Sequence, residues 1–301
     1  MRHTELWYKT AIIYCLDVRT FRDSNGDGVG DFEGLIESLD YIGSLGVNTI
    51  WLMPFYPSPY RDNGYDVKDY YGVDPRLGSL GDFVEFTHHA HARGFYVLVD
   101  LVINHTSIDH PWFQAARKDR NSPFRDYYIW SDEKPEDHDE GMVFPGVQET
   151  TWTFDEEAGQ YYFHRFYDHQ PDLNIENLNV QEDIRKIMGF WLELGVNGFR
   201  IDAAPFVIEM RDLESGAFDH LDSYLKYFRH SLSWRRGNAI MLAEANVKME
   251  HIGRYFGDGN RMHMLFNFLT NQHLYLSFAR HTAEPLVSAI NELPEIPYAG
   301  Q

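Results

Sequence analysis

Three stretches of the chain place charged, amide or imidazole side chains where short apolar runs end: DLVINH (100–105), GFRID (198–202) and LAE (242–244). Together they offer Asp100, Asn104, His105, Arg200, Asp202 and Glu244. Arg200 and Asp202 are two residues apart, so on a strand their side chains leave the same face. A guanidinium beside that carboxyl would hold it ionised at neutral pH, the state a nucleophilic carboxylate requires. Glu244, set in a drier place that raises its pKa, would give a proton to a leaving oxygen. Such a pair is the minimum for cleaving a glycosidic bond. One acidic residue after a strand is as easily a helix cap. Two carboxylates and an arginine at successive run ends are harder to explain that way.

A second pattern is FRDSNGDGVGDFEG (21–34), in which oxygen donors recur at alternate positions: Asp23, Asn25, Asp27, the Val29 carbonyl and Asp31. Its opening, with Gly28 in sixth place, copies a calcium loop of the EF-hand type. The residue that should supply the bidentate glutamate is Gly34, so a solvated Asp/Asn/Gly turn is the competing reading. The alternation favours the metal, and closure within the loop would pin it as a structural brace.

The elements that must position these groups are short apolar runs alternating with amphipathic ones. AIIYCL precedes a helical pattern from Asp31 to Gly46, with Asp31 as cap; NTIWLMP precedes a helix over about 79–93, with Gly94 as its stop. FYVLVDLVINH follows. From 105 to 172 the alternation breaks, and TWTFD and QYYFHRF flank a turn at 156–159 as a hairpin. It then resumes with a helix near 180–194, the strand GFRID, a helix near 218–235, the strand AIMLAE, and MHMLFNF with a helix after it. This order predicts an α/β fold with a parallel sheet, either an eight-stranded TIM-type barrel or an open doubly wound sheet. No Gly-x-Gly-x-x-Gly turn follows a strand, which weakens the open sheet. About six βα units are present, so a barrel would be incomplete, with residues 1–104 as its first part, 105–172 as an inserted domain and 173–301 as its second part.

The 301 residues are 44% hydrophobic, enough to bury a substantial core, and 26 basic against 46 acidic residues give a net charge of −20. That charge repels phosphate backbones and anionic membranes, which excludes nucleic acid as a natural partner. The start carries only a six-residue apolar run, Ala11 to Leu16, neither signal peptide nor membrane span. Cys15 is the single cysteine, so no disulfide forms within the chain and a cytoplasmic location is permitted. It is expected in a buried strand as an inert core residue. His88, His89 and His91 crowd one helix without a carboxylate at zinc-ligand spacing and are expected at the solvated surface.

The stretches DLVINH, QPDLN (170–174), GFRIDA (198–203) and AEAN (243–246) resemble, in order and spacing, the characteristic blocks of the α-amylase family of retaining α-glucoside enzymes. FRDSNGDGVGD and RDNGYDV (61–67) resemble its oligo-1,6-glucosidase and trehalose synthase branch, and IDAAPFVIE with LAEAN and YFGDG is most similar to the trehalose synthases, which convert maltose to trehalose. The resemblance implies a covalent glucosyl intermediate on Asp202, Glu244 as acid and then base, and Arg200 holding Asp202. It implies that Asp62, Tyr65 and His105 grip the glucose, Tyr65 by stacking, and that Asp100 braces the loop carrying His105. It further implies a second structural Ca2+ on Asn104, Asp172, Glu209 and the carbonyls of Phe206 and Val207, with no organic cofactor. Small α-linked glucosides such as maltose or trehalose would be the substrates.

The family's seventh-strand Asn-His-Asp block has no counterpart. FLTNQH (268–273) lacks the aspartate and is expected to end the sixth strand and begin a helix. The sequence stops where that block would fall, which suggests the first half of a longer protein with little activity of its own. An α-glucosidase or amylase-type hydrolase is the alternative within the family. A non-catalytic relative of the transporter heavy-chain kind would lack Asp202 and Glu244, and a plain calcium module would leave the run-end residues unexplained.

Overall fold

The computed structural model describes residues 6–208 and 218–301. These fall into two compact units, 11–202 and a second made of 6–10, 203–208 and 218–301. In the first unit the elements run β1 (Ile13–Leu16), α1 (Val18–Phe21), α2 (Phe32–Glu37), α3 (Leu39–Ser44), β2 (Thr49–Leu52), α4 (Leu80–Ala92), β3 (Tyr96–Leu101), α5 (Pro111–Lys118), β4 (Trp130–Ser131), β5 (Trp152–Asp155), β6 (Gln160–Phe163), α6 (Leu178–Glu193) and β7 (Gly198–Ile201). The second unit continues with α7 (Ala204–Ile208), α8 (Phe218–Arg235), β8 (Ile240–Ala243), α9 (Met249–Phe256), β9 (Met264–Leu265), α10 (Phe268–Arg280) and α11 (Glu284–Asn291).

In the first unit β1, β2, β3 and β7 form a parallel sheet in that order, with Trp51 opposite Leu98 and Asp100 opposite Arg200. The Val/Leu-rich β3 and the apolar β7 are buried almost throughout, as strands covered on both faces must be. Outside the sheet, Phe32 of α2, Phe83 of α4 and Trp191 of α6 meet Phe55 after β2, and Phe86 of α4 meets Phe32, with these ring centroids 5.0 to 5.7 Å apart. This aromatic core seats the helices, so the strand ends they precede and follow are held in register.

Asp31 caps α2 as expected, and α4 opens on a cap the sequence reading did not name. Asp31 accepts from Gly34 N–H at 2.6 Å to start α2, and Ser79 and Asp82 form a reciprocal capping box on α4. The helix expected from Asp31 to Gly46 is broken in two at Ser38, whose hydroxyl bonds back to the Gly34 carbonyl at 2.8 Å. Between β3 and β7 a small antiparallel sheet, ordered β4-β6-β5, is inserted; Trp152 pairs with Phe163, and Gly159 at φ +63° closes the expected turn.

In the second unit β8 and β9 pair in parallel, Leu242 opposite Met264. β9 is only two residues long, because Asn267 caps α10 by accepting from Thr270 N–H at 3.0 Å. FLTNQH therefore lies wholly within α10, not at the end of a strand. The residues ahead of β1 belong here as well: Trp7 Nε1 donates to the Asn238 carbonyl at 2.8 Å.

Among the described residues six strands run parallel in alternation with helices, two fewer than close a (β/α)8 barrel, so the fold class is α/β of the incomplete-barrel type. Cys15 corrects an expectation: it is exposed, on β1, which among the described residues pairs with β2 alone. Desolvation still pushes its thiol up to about 11, so it remains a poor nucleophile. On α4, His88 is exposed, His89 lies 3.7 Å from Glu85, and His91 bonds Asn197 at 2.9 Å. No helix among the described residues is long and apolar enough to cross a membrane.

Candidate active site

The parallel register of β3 and β7 sets Asp100 beside Arg200. Arg200 Nη1 donates to Asp100 Oδ1 at 2.6 Å and also bonds Asp202 Oδ1, one residue past the end of β7. The other Asp100 oxygen accepts from Trp51 Nε1 at 3.0 Å, and its carbonyl accepts from the Tyr56 hydroxyl at 2.6 Å. Asp100 is 0% exposed, Arg200 5% and Asp202 7%. One buried cation between two carboxylates leaves the cluster with a net negative charge, so it can meet an electron-poor carbon while the cation keeps the carboxylates from repelling each other apart. Arg200 also lies 5.2 Å from the Trp51 ring and 5.8 Å from that of Tyr65, which brings the β2–α4 loop to the same place.

His105 follows β3 and is 2% exposed. Burial pushes its pKa down to about 3, outweighing a backbone hydrogen bond with Tyr65, so the ring is neutral. A neutral buried imidazole suits a hydroxyl ligand. Tyr70 braces its loop, its hydroxyl lying 2.8 Å from the Val102 carbonyl and 3.1 Å from that of His105, with its one proton shared between them, while the Asp100 carboxylate, from which bracing was expected, bonds Arg200 and Trp51. Asp100 serves Arg200.

Two further residues emerge that spacing did not reveal. Gln170 Nε2 donates to Asp62 Oδ2 at 2.9 Å, across 108 positions of chain. Asp66, fully buried, accepts from the Ser58 hydroxyl at 2.8 Å and from the N–H groups of Arg61 at 3.1 Å and Asp62 at 3.3 Å, folding the loop that presents Asp62 and Tyr65. Both lie inside the quoted blocks QPDLN and RDNGYDV; the partners of Asp66 are within eight residues of it, whereas the partner of Gln170 is a matter of tertiary structure.

In the second unit Glu244 follows β8, half-buried, with Oε2 accepting from Ala203 N–H at 3.1 Å and its carbonyl accepting from Ala204 N–H at 3.2 Å. Ala203 holds φ +48°, a conformation a non-glycine residue adopts only where its surroundings impose it, as at functional sites. Phe206 and Val207 lie in α7, and Glu209 lies outside the described residues. Asn104 and Asp172 sit in the first unit, joined by the bridge between His105 and Asp172; burial pushes the Asp172 carboxyl up to about 7. A buried carboxyl beside an amide is a donor set that a hard cation suits.

The loop 23–31 offers hard oxygen donors too, but they are turned onto backbone N–H groups. Asp23 accepts from Gly26 at 2.7 Å and Gly28 at 2.8 Å, Asn25 from Asp27 at 2.9 Å, and Asp27 from Val29 at 2.8 Å. Asp31 is committed to its cap and to Ser24. Among the described residues no group of three or more His, Cys, Asp or Glu side chains is placed to hold a metal. The loop's conformation is thus satisfied by its own hydrogen bonds.

The family profile described as alpha amylase, catalytic domain, matches residues 15–293. The chain is 46% identical over 297 residues to the trehalose synthase of Thermus thermophilus, covering 98% of this chain and 30% of that protein. It is 41% identical over 299 residues to the trehalose synthase/amylase TreS of Mycolicibacterium smegmatis, covering 98% and 50%. Among solved structures, the α-amylase of H. orenii superimposes with a TM-score of 0.83 at 34% identity, covering 93% of this chain and 56% of that one. The chain therefore spans between about a third and a half of the length of these curated relatives.

Proposed function

The chain belongs to the α-amylase family, and from that premise we propose that its residues serve a retaining reaction on small α-linked glucosides, with maltose-to-trehalose conversion as the specific activity. The observation that carries this reading is the buried Arg200 shared by Asp100 and Asp202 at the ends of paired strands. Held there, Asp202 attacks the anomeric carbon as Glu244 protonates the glycosidic oxygen, so that the C–O bond breaks, the leaving glucose departs neutral, and a β-glucosyl ester forms on Asp202. Glu244, now a carboxylate, takes the proton from the anomeric hydroxyl of the released glucose, which re-attacks and frees Asp202. Tyr65 stacks on the sugar face, and Asp62 and the neutral His105 bind hydroxyls.

If water takes the place of the glucose acceptor the result is hydrolysis, so the exclusion of water decides the outcome. The similarity to a relative named trehalose synthase/amylase supports holding hydrolysis as the second reading. Structural Ca2+ belongs to the same proposal, in the loop of Asp23, Asn25 and Asp27 with the Val29 carbonyl and Asp31, and at Asn104 and Asp172. Asp23 Oδ1 and Asp31 Oδ2 each accept two hydrogen bonds, but Asp23 Oδ2, Asn25 Oδ1, Asp27 Oδ1 and Asp31 Oδ1 each accept one N–H and keep a second lone pair for an ion. The test is the complete natural protein incubated with maltose, with the sugars separated. Trehalose as the main product supports the reading; glucose without trehalose makes the protein a hydrolase; untouched maltose defeats both.

A further inference from the structure

The amide of Gln170 is oriented by its neighbours on both sides. Its Oε1 accepts from Tyr167 N–H at 3.4 Å, which turns the NH2 group toward Asp62 Oδ2 at 2.9 Å. An amide has one accepting and one donating end, so the two contacts fix each other. The segment that carries it is a rail: Ile108 N–H donates to the His169 carbonyl at 2.8 Å, Thr106 N–H to Pro171 at 3.1 Å, and Leu173 N–H to Asn104 at 2.8 Å. Gln170 is 0% exposed. From the other side Asp66 clamps the backbone of Asp62.

We propose that Gln170 is a positioning residue that sets the Asp62 carboxylate for its sugar hydroxyls, tying the substrate loop after β2 to the rail that ends the inserted segment. This rests on the reading of Asp62 as a glucose ligand. A charge-assisted hydrogen bond holds one carboxylate oxygen and leaves the other to accept from the sugar, so the geometry of binding is set before substrate arrives. Chemistry at the anomeric carbon does not pass through Gln170; its effect falls on binding.

The test uses the complete natural protein with 4-nitrophenyl α-D-glucoside and maltose. Gln170→Glu has almost the same shape but sets a second carboxylate against Asp62, where like charges repel. KM is expected to rise roughly tenfold or more with kcat within about threefold, since a hydrogen bond to a charged group is lost and replaced by repulsion. As pH falls, the two carboxyls share one proton and regain an O–H···O bond, so the KM defect of Gln170→Glu shrinks toward acid. Gln170→Met, uncharged and of similar length, raises KM without that recovery. The other charged and titratable groups here, Asp66, Arg61 with its partner Asp109 at 3.0 Å, His105 and His169, are common to all variants, so the difference in pH profile reports the new pair. Independently of activity, Asp62→Asn combined with Gln170→Glu exchanges amide and carboxylate and is expected to recover part of the melting temperature lost in Gln170→Glu alone.

A wild type that leaves every α-glucoside untouched overturns the functional reading and this one with it. An active wild type with both Gln170 variants at wild-type KM overturns the positioning role alone. If Gln170→Glu does not fold, the KM of Gln170→Met decides.

Discussion

Asp100→Asn is isosteric, yet it should be severe. The two oxygens of Asp100 face two donors, Arg200 Nη1 at 2.6 Å and Trp51 Nε1 at 3.0 Å, in a site with no exposure. An asparagine offers one oxygen and one NH2, so one of the two donors must confront another donor. Keeping the bond to the charged arginine turns the new NH2 toward the indole N–H, a lost hydrogen bond at about 1–3 kcal/mol, and weakening the buried ion pair adds to that. Arg200 keeps Asp202, so the total should lie near about 2–4 kcal/mol, below the loss for a wholly orphaned buried charge. Trp51→Phe removes the competing donor while leaving a ring near the guanidinium. The double variant should then be less destabilised than the sum of the singles, by about 1–2 kcal/mol, the coupling typical of residues in one network. Urea unfolding of the four proteins reads each term. Additivity within about 0.3 kcal/mol would refute the shared-acceptor geometry.

Further tests follow from other parts of the structure. Burial pushes His110, the cap of α5 that accepts from Trp112 N–H at 3.1 Å, down to about 3. It stays neutral in the fold but protonates on unfolding below its ordinary 6.5, so it stabilises above that pH and its contribution is lost as pH falls toward 3. His110→Asn, which can still cap, should flatten the fall in stability between pH 6.5 and 3 by up to about 1.4 kcal/mol per pH unit; an unchanged slope refutes it. Calcium at a hundredfold excess over Kd should add about 2.7 kcal/mol if the loop binds it, an increment absent in Asp23→Ala; a melt indifferent to calcium makes the loop an ordinary turn. Glu244→Gln should cost about 10²- to 10⁴-fold on maltose and far less in the release of a 2,4-dinitrophenolate, which needs no proton to leave. Equal losses on both would remove Glu244 from the acid role.

Much of this was legible in the sequence because it is local. The cap at Asp31 and the hairpin turn at 156–159 depend on neighbours within a few residues, and the two-residue step from Arg200 to Asp202 fixes their common face. What was not legible depends on register and long-range packing. The expected barrel sets β3 beside β7 but not their register, so the meeting of Asp100 with Arg200 appears only in the fold. Ser38 breaks a helix whose apolar period runs on unbroken. Cys15 sits in an apolar run that reads as core, but among the described residues β1 pairs with β2 alone and Cys15 is exposed. The pairing of Gln170 with Asp62 spans 108 positions, which spacing does not disclose.

The central claim is that Asp202 is a nucleophile. A glucosyl fluoride carrying fluorine at C5 slows breakdown of a glycosyl ester, so the complete natural protein exposed to it and digested should carry one added fluoroglucosyl group on the peptide containing GFRIDA, traced to Asp202 by fragmentation mass spectrometry. Asp202→Asn should take no label and lose several orders of magnitude in activity. A label on another residue, or an Asp202→Asn protein that keeps most of its activity, would contradict the account.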